Sequence, residues 1–308
     1  MAIERSRNPG AFGEFEHDGW ETVSVGYERH FARLTTQTVP GILDAAHVAE
    51  GMRVLDVCTG PGMLAGTAVK RGAQVVALDF SGKLIEIAMR NAPGAEFRQG
   101  DAQALPFEAD SFDSVVCGYG IIHVPEPQKA LSEMRRVLKP RGFLAVSVWE
   151  AAKPGNGFGL LFGAIRKHGD LNVPLPHGPD FFQFSEPDKL KAAIQEIEFR
   201  DAAVETVEQT WEFTDPLGVI TAILEGGVRA RALLYAQTED VRSSISATVV
   251  EEMRQYLILP MVFIESPCRP WWVQEGSDQS CSLSHGWGED PPRAAWVANG
   301  GHGRRSPG

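Results

Sequence analysis

Residues 53–62 of this 308-residue chain place a short apolar strand directly before a turn that contains Gly60 and Gly62. A helix-like run, residues 63–70, follows the turn at once. A strand that leads into a tight turn and then a helix is the first part of a βαβ unit. Because glycine has no Cβ atom, the backbone of such a turn approaches a ligand closely. The segment therefore predicts an α/β domain with a ligand-binding loop after its first strand.

Two acidic residues lie at the ends of neighbouring apolar runs. Asp56 ends the first run, and Asp79 ends the next one about 20 residues later, the spacing at which an acid reaches ribose hydroxyls. Residues 60–65 also fit the loose G-x-G-x-x-A pattern, so NAD is one candidate ligand. A carboxylate beside the loop would repel a pyrophosphate, whereas S-adenosylmethionine (SAM) has no phosphate and carries an ammonium and a sulfonium group. The residues favour SAM over NAD, and an ordinary strand–turn–helix without a ligand stays open as an alternative.

Strand-like and helix-like runs alternate through this part of the chain. The strands are expected near 53–57, 74–79, 96–99, 113–119 and 142–149, and the helices near 63–71, 82–91 and 127–138. This alternation predicts a Rossmann-like, doubly wound α/β fold, with a mostly parallel sheet and helices on both faces. Ser81 is the expected N-cap of the second of these helices, because a serine hydroxyl accepts a hydrogen bond from the first turn.

Residues 100–127 and 130–150 closely resemble the class I SAM-dependent methyltransferases. The nearest branch is the small-molecule one, related to the ubiquinone and menaquinone C-methyltransferases. The resemblance is good over residues 20–150, weaker to about residue 264 and absent beyond. It implies a seven-stranded, mostly parallel sheet whose last strand, expected at residues 257–264, is antiparallel and is preceded by an inserted helical lid.

The resemblance implies SAM as the cofactor and supports a set of binding residues near the strand ends. The candidates are Asp56, Gly60, Gly62, Asp79, Phe80, Asp101, Ala102, Gly118 and Tyr119. The first three are expected at the methionine end of SAM, and Asp79 at the ribose hydroxyls. The adenine is expected beside Phe80, Asp101 and Ala102. The sulfonium is expected above Gly118 and Tyr119. Cys58 stands where the family has its first loop glycine, so a slightly displaced loop is expected.

His123 follows the fourth predicted strand and is the candidate catalytic residue. A neutral imidazole there would remove a proton from a hydroxyl or an activated carbon, and the alternative is that it only positions the loop and the cofactor. In the family, the N-terminal helix lies over the cofactor, so Tyr27 is a candidate for the pocket, with simple packing as its alternative. His168 and His177 lie in the variable region and are candidates for the acceptor pocket.

Composition disfavours several other classes of function. The net charge is −11 and no basic run occurs, which argues against a nucleic-acid partner. No apolar stretch reaches the ~18 residues of a membrane span, and the polar N-terminus has no signal-peptide core, so the cytoplasm is the expected location. The four cysteines form no C-x-x-C pair, and no His, Asp or Glu cluster has metal-ligand spacing, so no metal is expected.

The chain is expected to divide into four parts. These are a flexible arm at 1–19, a SAM-binding core with an N-terminal cap helix at 20–150, a variable substrate and lid region at 151–264, and a disordered or non-native tail at 265–308. The predicted function is transfer of a methyl group from SAM to a carbon or oxygen of a small-molecule acceptor, mainly by proximity. An NAD(P)-dependent oxidoreductase and a SAM-pocket protein without methyl transfer stay open as alternatives. A homodimer is compatible with the sequence, which leaves the oligomeric state undecided.

Overall fold

The computed structural model describes residues 9–199, 202–254, 257–258, 261–267 and 295–298. Three helices precede the first strand: α1 (Pro9–His30), α2 (Ala32–Thr35) and α3 (Val39–Ala45). Strands and helices then alternate: β1 (Arg53–Val57), α4 (Met63–Lys70), β2 (Gln74–Asp79), α5 (Gly82–Asn91), β3 (Glu96–Gln99), β4 (Phe112–Gly118), α6 (Pro127–Val137) and β5 (Leu138–Ser147). Each strand and helix predicted for this segment is present, so the Rossmann-like α/β fold is confirmed.

The centre of the domain is a parallel sheet in which five strands follow the order β3-β2-β1-β4-β5. Leu55 of β1 pairs with Val76 of β2 on one side and with Val115 of β4 on the other. Most residues of these three strands are buried, because helices cover both faces of the sheet. The predicted cap of α5 is confirmed, since the Ser81 Oγ atom accepts a hydrogen bond from the Leu84 N–H at 3.1 Å.

The second half of the chain contributes the remaining elements of the described structure. They are α7 (Gly157–His168), α8 (Pro187–Gln195), β6 (Ala202–Glu205), β7 (Glu208–Phe213), α9 (Gly218–Gly226), α10 (Arg229–Tyr235), α11 (Glu239–Met253), β8 (Leu257–Ile258), β9 (Met261–Pro267) and β10 (Ala295–Ala298). In the main sheet, β10 lies between β5 and β6 and is parallel to both. The strands β7, β9 and β8 form a separate antiparallel sheet. Helix α1 packs against α9, and α11 packs against α7.

The sequence places the last strand of the main sheet at residues 257–264, and this placement is wrong. Ile264 pairs with Trp211 of β7 in the separate sheet. Buried and exposed residues alternate along β7, so one of its faces packs on the core while its edge still needs a hydrogen-bonding partner. Strand β9 is that partner. An antiparallel last strand in the main sheet is therefore not confirmed.

The flexible arm predicted at residues 1–19 is wrong from Pro9 onwards, because α1 begins there. Its glycines suggested a loop, but they serve close packing between helices. A Cβ atom on Gly19 would lie 2.4 Å from Val228 Cγ1, and one on Gly26 would lie 2.1 Å from the Glu225 carbonyl oxygen. Glycine at these positions lets α1 lie against the end of α9 and the start of α10.

Two other predictions concern the ends of the chain. The predicted tail, residues 265–308, lies outside the described residues except for the end of β9 and for β10. Residues 1–8 of the predicted arm lie outside them as well. Among the helices that the structure describes, none combines the length and the apolar character needed to cross a bilayer.

Candidate functional site

A cavity of about 320 Å³ opens at the carboxyl ends of β1, β2 and β4. Two groups of its lining residues are distinguished by the elements that carry them. The cofactor wall comprises Gly60, Asp79, Phe80, Asp101, Ala102, Gly118 and Tyr119, and the cap wall comprises Trp20, Tyr27, His123 and Arg229. Ligands of open α/β sheets bind at this edge of the sheet, in the crevice outside the strand ends.

Asp79 is the fixed carboxylate of the cofactor wall. Its side chain is buried, and its two oxygens accept hydrogen bonds from the Gly60 N–H at 2.8 Å and from the Ser81 N–H at 3.0 Å. Burial raises the pKa of Asp79 to about 6, although these N–H donors oppose the rise. A carboxylate has about four acceptor positions, so Asp79 keeps capacity for hydroxyl donors in the cavity. Gly60, with a φ of +56°, presents its backbone to the same space.

Asp56 and Gly62 do not line the cavity, so the structure gives no support to their predicted place at the methionine end of SAM. Asp56 is buried beneath the loop, where Thr59 Oγ1 donates to its Oδ2 at 2.7 Å, and burial raises its pKa to about 7. Gly62 has a φ of +82°, and a Cβ atom there would lie 2.9 Å from Ala88. Both residues shape the loop: Asp56 braces it from below, and Gly62 lets α4 pack on α5.

The other predicted cofactor residues lie together on the cofactor wall. Asp101 is exposed to the cavity, and its carboxylate accepts hydrogen bonds from the Gln103 N–H at 2.8 Å and from the Gln103 side chain at 3.0 Å. Tyr119 has a φ of +60°, and its hydroxyl donates to Gln209 Oε1 at 3.1 Å. The Tyr119 ring stacks on Trp149 with 4.2 Å between ring centroids. These contacts hold both side chains in fixed positions at the strand ends.

Cys58, which replaces the expected loop glycine, also lines the cavity and has a φ of +57°. A hydrogen bond with Cys117, together with burial, raises the pKa of the Cys58 thiol well above its ordinary value. A Cβ atom on Gly120 would lie 2.2 Å from the Cβ of Cys58, so glycine at position 120 makes room for the cysteine. The loop after β1 therefore accommodates Cys58, because position 120 in the neighbouring loop is a glycine and has no side chain.

His123 belongs to the cap wall, in a short 3-10 turn after β4. Its Nδ1 atom lies 2.9 Å from Oε2 of Glu16, whose side chain is fully buried in α1. Trp20 Nε1 donates to the same Glu16 oxygen at 3.2 Å, and Arg229 Nε donates to the other. Burial alone would raise the pKa of Glu16, but the His123 and Arg229 side chains hold it below its ordinary value.

Arg229 is the only Lys or Arg among the cavity-lining residues of the described chain. Besides its ion pair with Glu16, it donates to the Pro179 carbonyl at 3.0 Å and to the Ile122 carbonyl at 2.7 Å. Its guanidinium also lies 4.5 Å from the centre of the Phe12 ring. Since these partners engage all three of its nitrogens, Arg229 holds the cap together and is poorly placed to bind a phosphate.

Five further aromatic side chains line the cavity. They are Phe31, Trp149, Phe158, Phe181 and Trp211. Phe158 contacts both Trp149 and Phe181 edge to face, with 5.6 Å between centroids in each pair. Tyr27 stacks on Phe31 at 5.4 Å and so lines the pocket as the resemblance implies. Such a surface suits a flat, largely apolar molecule.

His168 and His177 do not line the cavity, so the structure gives no support to their predicted place in the acceptor pocket. His168 Nε2 lies 2.7 Å from Thr248 Oγ1 and joins α7 to α11, and His177 is exposed at the surface. Within the described part of the chain, no group of three or more His, Cys, Asp or Glu side chains has the geometry of a metal site. That the protein uses no metal stays a prediction.

The sequence analysis missed Glu16 and Arg229. Glu16 falls in the segment interpreted as an arm, and Arg229 follows the Gly226-Gly227 pair, where a helix break is expected. A signal for the first was available, because Phe12, Glu16 and Trp20 recur at four-residue spacing on one face of a helix. The pairing of Glu16 with Arg229 has no such signal.

Comparison with known proteins gives the class of this domain. Residues 55–146 match the family described as methyltransferase domain. A demethylmenaquinone methyltransferase of Renibacterium salmoninarum is 42% identical over 127 residues, which cover 41% of this chain and 51% of that protein. One of Clavibacter sepedonicus is 40% identical over 156 residues, covering 47% of this chain and 61% of that protein. The chain thus spans about half the length of the curated relatives it matches.

Among solved structures, a SAM-dependent methyltransferase from Thermotoga maritima is 20% identical, with a TM-score of 0.44, and the match covers 65% of this chain and 86% of that chain. The sequence matches confirm the predicted resemblance to the class I SAM-dependent methyltransferases, because residues 55–146 match a methyltransferase-domain family. Within that class, the chain resembles the menaquinone methyltransferases.

Proposed function

We propose that this protein transfers the methyl group of SAM to a small, largely apolar acceptor. The observation that carries the proposal is that one cavity combines a buried carboxylate with many aromatic rings. The carboxylate is Asp79 at the end of β2, and the rings are the aromatic lining residues named above. When bound, SAM supplies an activated methyl group and its own leaving group.

The cofactor wall fits the hydrogen-bond donors of SAM. Asp79 is the acceptor for the ribose hydroxyls, and Asp101 is the acceptor for the exocyclic amine of the adenine. Phe80 and Ala102 flank the adenine, while Gly118 and Tyr119 lie where the sulfonium would be. The two carboxylates of this wall are acceptors for the hydroxyl and amine donors of the adenosyl group.

The same wall argues against a dinucleotide. A pyrophosphate binds to free N–H groups of the loop that follows β1, but the Gly60 N–H donates to Asp79 instead. The cavity's cation, Arg229, is neutralised by Glu16. The sequence-based objection to NAD rested on the charge of Asp56, which does not line the cavity. The objection proposed here rests on the Gly60 N–H, which Asp79 already engages.

The protein's contribution to catalysis is proposed to be mainly proximity and exclusion of water. Helix α1 and the region from α7 to α11 cover the cavity as a cap helix and a lid. His123 is proposed to take the proton from the acceptor. This proposal also includes the boundaries of the cap helix and the lid and the count of seven strands in the complete sheet. It further includes a cytoplasmic location and a homodimer.

The test is a methyl-transfer assay with the full chain. SAM and a panel of simple phenols and hydroquinones, such as 1,4-naphthohydroquinone, are incubated with the protein, and S-adenosylhomocysteine and methylated product are measured by mass spectrometry. We expect both products from the parent and from Asp18→Asn, which removes a carboxylate that is 85% exposed on α1. Asp79→Asn should lose at least tenfold in SAM affinity, because a hydrogen bond to a charged group contributes about 1.5–3 kcal/mol. Oxidation or reduction of the panel with NAD, and no methyl transfer, would overturn the proposal.

A further inference from the structure

Glu16 and His123 form a close pair that joins α1 to the turn after β4. The carboxylate lies 2.9 Å from Nδ1 of the imidazole, although the two residues are 107 positions apart in the chain. Glu16 is fully buried and lies behind the cap wall, whereas His123 lines the cavity. One edge of the ring therefore faces the carboxylate, and the rest of it is available to a molecule in the cavity.

The charge of Glu16 decides which imidazole nitrogen carries the proton. Arg229 and His123 keep the carboxylate ionised, since they lower its pKa despite its burial. An ionised carboxylate only accepts hydrogen bonds, so Nδ1 must be the donor. In the neutral ring, Nε2 then carries the lone pair.

The orientation of the ring is fixed by two aromatic neighbours. Trp20 meets the His123 ring edge to face with 4.9 Å between centroids, and Phe181 does so at 5.6 Å. Trp20 also donates to Glu16, so the same side chain orients both members of the pair. A flip of the imidazole would break the Nδ1 contact and leave Glu16 with one partner fewer.

We propose that Glu16 is a positioning residue, which holds His123 in the tautomer whose Nε2 lone pair serves as the base for the methyl acceptor. The inference rests on the proposed function. The acceptor's O–H or acidic C–H bond breaks, the proton goes to Nε2, and the freed electron pair forms the bond to the methyl carbon. The S–CH3 bond breaks with its electron pair on sulfur, which leaves a neutral thioether. The imidazolium so formed is stabilised by the Glu16 carboxylate, and the acceptor class is thereby narrowed to molecules with an ionisable hydroxyl or C–H group.

The variant Glu16→Gln tests the tautomer directly. Arg229 and Trp20 are both only donors, and a charged donor forms the stronger hydrogen bond. The single amide oxygen of the glutamine should therefore turn towards Arg229 and its NH2 group towards His123. Nδ1 would then have to accept, and the proton would move to Nε2. We expect 15N NMR at a pH where the ring is neutral to show Nδ1–H in the parent and Nε2–H in the variant, with His123→Asn assigning the signal among the eight histidines.

Glu14→Gln is the matched control, because it makes the same chemical change at an exposed position of α1. It should leave the His123 signal unchanged. An Nε2–H signal in the parent, or the same tautomer in the parent and in Glu16→Gln, would overturn the inference whether or not an acceptor is known. A parent that shows Nδ1–H but binds no SAM would instead overturn the proposed function, so the two failures are distinguishable.

Kinetics separate positioning from a purely structural role. With the best hydroquinone probe, Glu16→Gln should lower kcat by about 100-fold or more, the range expected when a base is held in the wrong tautomer. The KM for SAM should stay within about threefold if only the proton transfer is affected. In a His123→Asn background the same substitution should cause no further loss. Equal losses in both backgrounds would mean that Glu16 acts through the fold, and would overturn the inference.

Discussion

The cofactor wall and the cap wall line one cavity but are built in different ways. The cofactor wall comes from strand ends, and its fixed carboxylates bond to residues close by in sequence, as Asp79 does with Ser81 and Asp101 with Gln103. The cap wall depends on pairs that are distant in sequence, 107 residues apart for Glu16 and His123 and 213 for Glu16 and Arg229. A local pattern is therefore enough to predict most residues of the first wall, whereas the pairs of the second wall become visible only in the folded chain.

The two walls also treat buried charge in opposite ways. In and beneath the cofactor wall, burial raises the pKa values of Asp79 and Asp56 to about 6 and about 7. Behind the cap wall, Glu16 is as deeply buried, yet its pKa is lowered by paired cations. In the first arrangement burial favours the neutral acid and no cation offsets it, and in the second paired cations keep the buried acid ionised and close the cap.

The largest effect should come from breaking the ion pair behind the cap wall. Arg229→Met keeps an apolar stem but leaves the Glu16 carboxylate buried without its guanidinium partner. We expect the free energy of unfolding to fall by about 3–5 kcal/mol, because an uncompensated buried charge is strongly destabilising. Arg231→Met, on the same helix and with its guanidinium over the exposed Tyr235 ring, should cost no more than about 1 kcal/mol. Urea unfolding of the two variants measures the difference, and equal losses would show that the cap does not depend on this pair.

The next effect concerns pH and the acid beneath the loop. The folded chain holds the Asp56 proton up to about pH 7, whereas the unfolded chain releases it near its ordinary value of 3.8. The folded state therefore binds more protons between these values, so the free energy of unfolding should fall as pH rises, by at most roughly 1.4 kcal/mol per pH unit. Asp56→Asn should make that fall less steep, while Asp79, whose shift has the same sign, remains in both proteins. Denaturant unfolding at about pH 5 and about pH 8 checks this, and parallel pH curves would contradict it.

A smaller effect separates the two carboxylates within the cofactor wall. Asp101 is exposed and keeps solvent as an alternative partner, whereas Asp79 is buried. Asp101→Asn should therefore weaken SAM binding only about fivefold, which corresponds to about 1 kcal/mol for an ordinary hydrogen bond. The two affinities are compared by calorimetry. If Asp101→Asn lost as much SAM affinity as Asp79→Asn, burial would not decide which of the two carboxylates contributes more to binding.

The smallest effect is expected outside both walls. His168→Ala removes the contact with Thr248 between α7 and α11, and His168 does not line the cavity. We expect a loss of stability of about 1 kcal/mol and unchanged SAM affinity. A clear change in SAM affinity would mean that the contact between His168 and Thr248 also supports the site.

The contrast between the walls also explains what could be predicted from the sequence. The β1 loop, Asp79 and the strand ends follow from local hydrophobic periods and from glycine positions, and the structure places them together. Asp56 and Gly62 were assigned to the ligand because proximity along the chain does not tell which side of a loop a residue occupies. Glu16 and Arg229 could not be paired, because nothing local connects residues on two helices that meet only after folding. The glycines of α1 were misleading for the same reason, since their role depends on the helix packed against them.

Calorimetric titration of SAM, S-adenosylhomocysteine and NAD into the full chain tests the central claim most directly. The claim is that the cofactor wall binds an adenosyl sulfonium and not a pyrophosphate. We predict saturable binding of SAM and S-adenosylhomocysteine at one site per chain, at least tenfold weaker binding to Asp79→Asn, and no binding of NAD. Binding of NAD to a folded chain that ignores SAM would contradict the claim.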